Sequence, residues 1–147
     1  MKAYFVNNLF KFFSGLPEKN QKGLMKPEEY SPLVLAYLGD AVFELYIRAM
    51  LVGKANTSVN ELHRSALMYV SAGAQSGMYH RIISELTDEE QAVIKRGRNA
   101  KPHTARNAPV NEYRHATGLE ALFGYLYIKG DSDRTRWLFE RCLSEDN

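Results

Sequence analysis

Residues 33–47 read LVLAYLGDAVFELYI, an almost wholly apolar run with an aspartate at its centre. If the run is helical, Asp40, Glu44 and Arg48 recur at i, i+4 and i+8 and share one narrow stripe. A helix that is apolar on every other side belongs in a core. A charge there is costly unless a metal, a partner or a substrate compensates it, so Asp40 is the first residue to explain.

A second apolar helix, predicted at residues 111–127, repeats this pattern. Glu120 is the only charge within residues 117–125, TGLEALFGY. Three glycines lie in the middle of the two helices: Gly39, Gly118 and Gly124. A mid-helix glycine costs about 1 kcal/mol relative to alanine, and it often marks a place where another backbone approaches closely. Close packing of the two helices would bring Asp40 and Glu120 together.

Two neighbouring carboxylates repel each other unless a proton or a cation lies between them. Mg²⁺ is a hard cation that prefers oxygen ligands and keeps several waters, so it suits such a pair. A metal held there could activate water and stabilise charge on a phosphoryl group. The alternative is that Asp40 pairs with Arg48 or a backbone cap, and Glu120 with Arg114 or a histidine. Periodicity leaves both interpretations open.

The remaining sequence also predicts helices, with no strand-like alternation. They are expected at about residues 4–13, 58–83 with a break near 71–73, 87–94 and 132–143. Ser58-x-x-Glu61 and Thr87-x-x-Glu90 have the spacing of capping boxes at two of these starts. Residues 97–109 lose the periodicity and contain two prolines, which predicts a loop. We therefore expect an all-α fold, with an N-terminal extension over residues 1–27 and one domain over residues 28–147.

A basic segment free of acids lies between Gln91 and Asn111. Its charge could follow a phosphate backbone through counterion release, and its amides could bond phosphate or ribose hydroxyls. The candidate RNA-binding residues are Lys95, Arg96, Arg98, Asn99, Lys101 and Arg106. A solvated charged loop with no partner is the alternative.

The composition of the chain limits which kinds of partner, cellular compartment and membrane association can be expected. The chain has 147 residues and a formal net charge of only +2, so a nucleic-acid partner must be argued from local clusters. The single cysteine, Cys142, excludes an intrachain disulfide and fits a reducing compartment. No export signal is evident, and three charges interrupt the apolar run of residues 33–51. A soluble cytoplasmic protein without a membrane segment is expected.

Three motifs together resemble a known family. LAYLGDAV at residues 35–42 resembles the signature helix of the ribonuclease III catalytic domain, and GLEALFG at residues 118–124 resembles the later helix that carries its second essential acid. RGRNAK at residues 96–101, with Tyr113-Arg114, is similar to the Mini-ribonuclease III subgroup. The resemblance covers about residues 33–128.

The resemblance implies which residues would act. Asp40 and Glu120 fall on the two catalytic, metal-binding acids of the family. Ala36 stands where ordinary ribonuclease III has a further glutamate, and Thr117 where it has an aspartate, so whether one or two Mg²⁺ ions bind stays open. Glu44 and Thr117 are candidates for supporting the metal ligands, and Glu44 could equally pair with Arg48.

The resemblance also implies a Mg²⁺-dependent endoribonuclease that cleaves double-stranded RNA as a homodimer. Its implied role is maturation of the 23S ribosomal RNA precursor, with a ribosomal protein on the substrate as a candidate helper. Two rival hypotheses remain. One is a catalytically inactive RNA-binding or ribosome-associated protein on the same fold, and the other is a helical protein-interaction module.

Overall fold

The computed structural model describes residues 25–100 and 109–145. Six α-helices lie in these ranges: α1 (Pro32–Lys54), α2 (Val59–Val70), α3 (Ala72–Ile82), α4 (Asp88–Asn99), α5 (Val110–Lys129) and α6 (Ser132–Leu143). Short 3-10 turns occupy Pro27–Glu29 and Ile83–Glu85. The described residues contain no strand, which confirms the all-α prediction. The predicted helix at residues 4–13 and the basic residues Lys101 and Arg106 lie outside the described ranges.

Local sequence signals begin several of these helices. Thr87 and Glu90 form a full capping box at α4, because each side chain accepts the other residue's backbone N–H. Ser58 caps α2 by accepting the Glu61 N–H at 3.2 Å. The Glu61 carboxylate does not complete a capping box, because it accepts a bond from Arg64 at 2.8 Å instead. The predicted break near residues 71–73 is confirmed at Ser71, which separates α2 from α3.

The prediction that a loop begins at residue 97 was wrong. Helix α4 continues to Asn99, and Gly97 is buried inside it. A Cβ built on Gly97 would lie 2.9 Å from the Gly118 Cα on α5. Gly97 is therefore a packing glycine rather than a helix breaker, since tertiary contact outweighs its low helix propensity. Lys95, Arg98 and their neighbours thus belong to a helix.

Helix α5 is the centre of the molecule, and it packs against α1, α3, α4 and α6. From Ala116 to Leu126, every residue except Glu120 is buried. Phe123 of α5 packs on Phe43 of α1 with ring centroids 5.3 Å apart. Phe43 in turn meets Phe139 of α6 at 6.1 Å, edge to face. Among the described helices, none combines the length and apolar character needed to cross a bilayer.

Helices α1 and α5 touch through their backbones, as the mid-helix glycines predict. A Cβ built on Gly39 would lie 1.6 Å from the Glu120 carbonyl oxygen. A Cβ built on Gly124 would lie 2.0 Å from the Leu35 carbonyl oxygen. Only glycine allows this approach at both positions. The contact fixes the register of the two helices and therefore the relative height of Asp40 and Glu120.

Gly39→Ala should destabilise the protein by about 3 kcal/mol or more, because the new methyl group would overlap the α5 backbone. The free energy of unfolding from urea titration measures this loss. Gly77→Ala is the matched control, since Gly77 is exposed within α3 and an added Cβ meets nothing within 4 Å. That control should gain up to about 1 kcal/mol. Equal effects of the two substitutions would contradict the close backbone contact.

Candidate active site

Asp40 and Glu120 come together at the contact between α1 and α5. Gly39, the residue before Asp40, lies directly against the backbone of Glu120. Asp40 is exposed, whereas the Glu120 side chain is partly buried. The two carboxylates are close enough for the charge of Asp40 to raise the pKa of Glu120. The structure thus produces the pairing of acids that the sequence predicts.

The surroundings of both acids favour their protonated forms. Burial raises the pKa of the Glu120 carboxyl to about 8, with a further contribution from the negative charge of Asp40. Partial burial also raises the pKa of Asp40, and the nearby Glu44 carboxylate adds to the effect. Such shifts are typical of acids held together without a compensating cation. They also mark a functional-site candidate.

The ion pair between Asp40 and Arg48, which the alternative interpretation includes, does not form. Arg48 pairs with Glu44 rather than with Asp40, through an Nη2 to Oε1 distance of 2.6 Å. Within residues 25–100 and 109–145, no lysine or arginine forms an ion pair with either Asp40 or Glu120. Among these residues, no lysine or arginine side chain therefore neutralises the charge of the acid pair.

Gln75 is a site residue that sequence reasoning missed. It lies on α3, its side chain is only 2% exposed, and it is close enough to Glu120 to affect the pKa of that carboxyl. The polar side chain of Gln75 lowers the pKa of Glu120 and so partly opposes the effect of burial. The available signal was one long polar residue among small ones in SAGAQSG, residues 71–77. That pattern does not reveal which helix the amide faces.

Thr117 lies one turn before Glu120 and is buried, but its hydroxyl is already used. It donates to the Tyr113 carbonyl at 3.0 Å, within the same helix. Glu44 is engaged with Arg48 and reaches the acid pair only through its charge on Asp40. Thr117 and Glu44 thus lie near the two acids, but the hydrogen bonds of their side chains go to Tyr113 and Arg48 instead.

The donor set of the acid pair fits a hard divalent cation. Once deprotonated, the two carboxylates offer oxygen ligands and two negative charges, which Mg²⁺ binds while keeping several of its own waters. The described residues hold no cluster of three or more potential metal-ligating His, Cys, Asp or Glu side chains. Asp40 and Glu120 are the two residues that would hold such an ion.

The predicted basic residues on α4 differ in their surroundings. Lys95 and Asn99 are exposed to solvent. The Arg96 guanidinium donates to the carbonyl oxygens of Glu28 and Tyr30, both at 2.8 Å, and so holds the segment before α1. Arg98 donates to the Tyr79 hydroxyl at 3.3 Å. Arg96 and Arg98 thus also have structural contacts, which the sequence did not indicate.

Comparison with known proteins identifies the family. The ribonuclease III domain matches residues 33–131, a range that contains both acids. The chain belongs to the ribonuclease III family. It is 48% identical over 112 residues to the Mini-ribonuclease 3 of Symbiobacterium thermophilum, which covers 76% of this chain and 86% of that protein. It is 46% identical over 121 residues to the Mini-ribonuclease 3 of Enterococcus faecalis, which covers 80% of this chain and 92% of that protein.

A crystal structure of a Fusobacterium nucleatum protein shares the fold of this ribonuclease III family member. The TM-score is 0.73 at 32% sequence identity, covering 80% of this chain and 94% of that one. Membership confirms the resemblance to Mini-ribonuclease III and the prediction of a ribonuclease III-type endoribonuclease. The matched range also agrees with the span of residues 33–128 expected from the motifs.

Glu120→Gln should stabilise the metal-free protein at high pH. The folded state holds the Glu120 proton up to a pKa of about 8, against 4.5 for an ordinary glutamate. Stability from this group is therefore complete below about pH 4.5 and is lost as the pH rises through about 8. Glutamine never ionises, so the gain in melting temperature should grow across this window and level off above it.

Thermal unfolding of the two proteins in chelator, from pH 4 to pH 9, measures this difference. Glu61→Gln removes the same charge at an exposed position of α2 and serves as the control. A Glu120→Gln difference that does not vary with pH would contradict the raised pKa.

Proposed function

We propose that this protein is a Mg²⁺-dependent endoribonuclease that cleaves double-stranded RNA, with Asp40 and Glu120 as its catalytic metal ligands. One observation carries the proposal: the two carboxylates meet without a described cationic partner, on the contact between the two core helices. Membership of the ribonuclease III family supplies the reaction class, phosphodiester hydrolysis.

The residues of the chain have distinct tasks in this proposal. When bound, the cation polarises a phosphoryl oxygen and lowers the pKa of a water molecule. Asp40 and Glu120 would hold that cation, and the Glu120 carboxyl would release its proton to solvent before it could serve as a ligand. The surrounding buried part of α5 keeps the Glu120 carboxylate in one place, which is a condition for precise positioning of the reacting groups.

The proposed RNA-binding surface is the exposed side of α4 and the chain that follows it. Lys95 and Asn99 are free to meet a phosphate backbone, since both are exposed. Arg98 stands beside them at the α4–α3 contact. Lys101 and Arg106 follow in sequence, and Arg96 adds positive charge even while it holds two carbonyl groups. A basic surface of this kind recognises an A-form duplex mainly by shape and charge.

A homodimer is the proposed active assembly. Four large apolar side chains recur along the exposed side of α1, at spacings that keep them on one face: Val34, Tyr37, Leu45 and Val52. Tyr37 is 83% exposed, which is unusual for so large a ring. An exposed apolar row of this length is typical of a protein interface. Two copies related by a two-fold axis would present two acid pairs, one for each strand of a duplex.

The proposed natural substrate is duplex RNA at the ends of the 23S ribosomal RNA precursor, with a ribosomal protein on that substrate as the candidate helper. This follows from the resemblance to the Mini-ribonuclease III subgroup. The competing function is a catalytically inactive RNA-binding protein on the same fold. That protein would have no use for two uncompensated acids at one position.

Asp40→Asn should reduce cleavage of duplex RNA by more than about 100-fold, because the metal loses a charged ligand. The substrates are a perfect duplex and a duplex from the 23S precursor ends, each with Mg²⁺ or with chelator. Asp40→Asn should still bind duplex, with an affinity that falls as salt rises. Glu61→Gln is the control and should cut like the parent. A parent protein that binds duplex without cutting it would support the inactive RNA-binding alternative instead.

Tyr37→Glu should convert the dimer to a monomer, because it places a charge within the apolar row of α1. Light scattering after gel filtration measures this change, and the parent should have twice the 16.8 kDa mass of the chain. Val110→Glu is the control, since Val110 is also an exposed apolar residue but lies at the start of α5. A parent of 16.8 kDa, or equal masses for the parent and Tyr37→Glu, would contradict the proposed interface.

A further inference from the structure

We propose that His80, Arg98 and His115 form a binding site for one phosphate group of the RNA substrate, close to the phosphate that is cleaved. The inference rests on the proposed function, because it takes duplex RNA as the substrate. It extends the RNA-binding surface from α4 onto α3 and α5. These three residues are called the basic cluster below.

The members of the basic cluster meet around one tyrosine ring. The Tyr79 ring stacks on the His115 ring, with centroids 4.2 Å apart and planes 9° apart. His80 lies edge-on to both rings, with its centroid 5.2 Å from that of Tyr79 and 4.8 Å from that of His115. The Arg98 guanidinium donates to the Tyr79 hydroxyl at 3.3 Å. Packing therefore brings basic side chains of α3, α4 and α5 to one place.

The basic cluster is accessible to solvent. His80 is exposed, and Arg98 and His115 are partly exposed, whereas Tyr79 between them is only 6% exposed. Lys95 is exposed one turn before Arg98 on the same helix. The basic cluster is therefore continuous with the RNA-binding surface proposed on α4.

The positive charge of the basic cluster is poorly compensated. Within residues 25–100 and 109–145, none of its members forms an ion pair. Burial lowers the pKa of His115, and the charges of His80 and Arg98 lower it further, against a smaller opposite effect of Glu112. The Glu112 carboxylate lies near the start of α3, 3.5 Å from a Cβ built on Gly73. An anion would relieve this repulsion, and phosphate is the anion that RNA supplies.

The contacts within the basic cluster leave donors available for a phosphate. Ser76 Oγ lies 2.8 Å from His115 Nδ1, so Nε2 is the ring nitrogen left for a ligand. A hydroxyl can both donate and accept, so this contact persists when the ring is protonated. Arg98 directs one nitrogen to Tyr79, and a guanidinium carries its N–H donors in a planar fork that matches phosphate oxygens. Such charge-assisted hydrogen bonds are stronger than neutral ones.

The basic cluster lies near the acid pair without being part of it. His115 precedes Glu120 by five residues on α5, which corresponds to about 7.5 Å along the helix axis. A phosphate bound there is a neighbour of the reacting phosphate and takes no part in its chemistry. Such a contact stabilises the bound substrate and the transition state equally. Its loss therefore raises the KM and leaves kcat unchanged.

His80→Gln tests the inference, because it removes a pH-dependent charge from an exposed position. Histidine changes its charge between about pH 5 and pH 8. The measurement is the affinity for a short RNA duplex in chelator, where no strand is cut. We expect His80→Gln to bind about 5-fold more weakly than the parent at pH 6, and within about 2-fold of it at pH 8. In cleavage assays with Mg²⁺ at pH 6, the KM should rise similarly at constant kcat.

His63→Gln is the matched control, since His63 is an exposed histidine on α2. It should bind duplex RNA like the parent at both pH values. The acid pair also gains protons as the pH falls, because the pKa of Glu120 is about 8. This effect is common to the parent and both variants, so their difference isolates the histidine. Equal affinities of His80→Gln and His63→Gln at pH 6 would show that the inference is wrong.

Arg98→Gln tests the second member through the salt dependence of binding. Loss of one phosphate contact should reduce the slope of log affinity against log salt concentration by about 1. Arg64→Gln removes the same charge from an exposed position of α2 and should keep the slope of the parent. A slope that Arg98→Gln leaves unchanged would also overturn the inference.

His115 can be tested in the parent protein, so that no variant has to fold. A bound phosphate would compensate the charges of His80 and Arg98, so the pKa of His115 should rise when duplex RNA binds. NMR titration of the His115 ring signals in chelator, with and without saturating duplex, measures this change. A pKa of His115 that is the same in both titrations would exclude it from the phosphate site.

The two proposals fail in different ways. A parent protein that binds duplex RNA without cutting it contradicts the proposed function, while the pH and salt dependence of its variants still decides the role of the basic cluster. A parent that cuts normally, with His80→Gln and His63→Gln binding equally at pH 6, contradicts only the basic cluster.

Discussion

The direct backbone contact between α1 and α5 is the constraint on which the rest of the structure depends. Gly39 and Gly124 let the two helices approach until a Cβ would overlap the opposite carbonyl group. The same approach seats Phe43 against Phe123 in the core. It also sets Asp40 beside Glu120. Core packing and the chemistry of the site are therefore two results of one contact, and a change that separates the helices disturbs both.

The site places an acid in surroundings that oppose its ionisation. Glu120 is the one residue between Ala116 and Leu126 that is not buried, and its pKa is raised to about 8. The Gln75 side chain on α3 lies near it, and the described ion pairs leave it without a cation. Functional residues often cost stability in this way, because the arrangement that serves chemistry is not the arrangement that serves folding. A cation between the acids would relieve the repulsion.

Much of the fold, and the meeting of the two acids, could be predicted from the sequence. Apolar periodicity and mid-helix glycines indicate which helix faces pack together. They predicted the helices, the close approach of α1 to α5 and the meeting of Asp40 with Glu120. They failed at Gly97, where a glycine that packs on Gly118 resembles a helix end. They also failed for Gln75, which affects the pKa of Glu120 although the two residues are 45 positions apart in the chain. A local pattern holds no information on the rotation of α3 about its own axis.

The acid pair and the proposed RNA-binding residues lie on different parts of the fold, and this separation has a consequence for sequence variation among relatives. The acids are fixed by the middle of two core helices, whereas the basic residues lie at the end of α4 and in the chain leading to α5. The atoms that pack most closely on Gly39 and Gly124 belong to α1 and α5 themselves, not to that connection. If the basic residues bind RNA as proposed, exchanging this connection between relatives should change RNA binding while the contact between α1 and α5 stays in place.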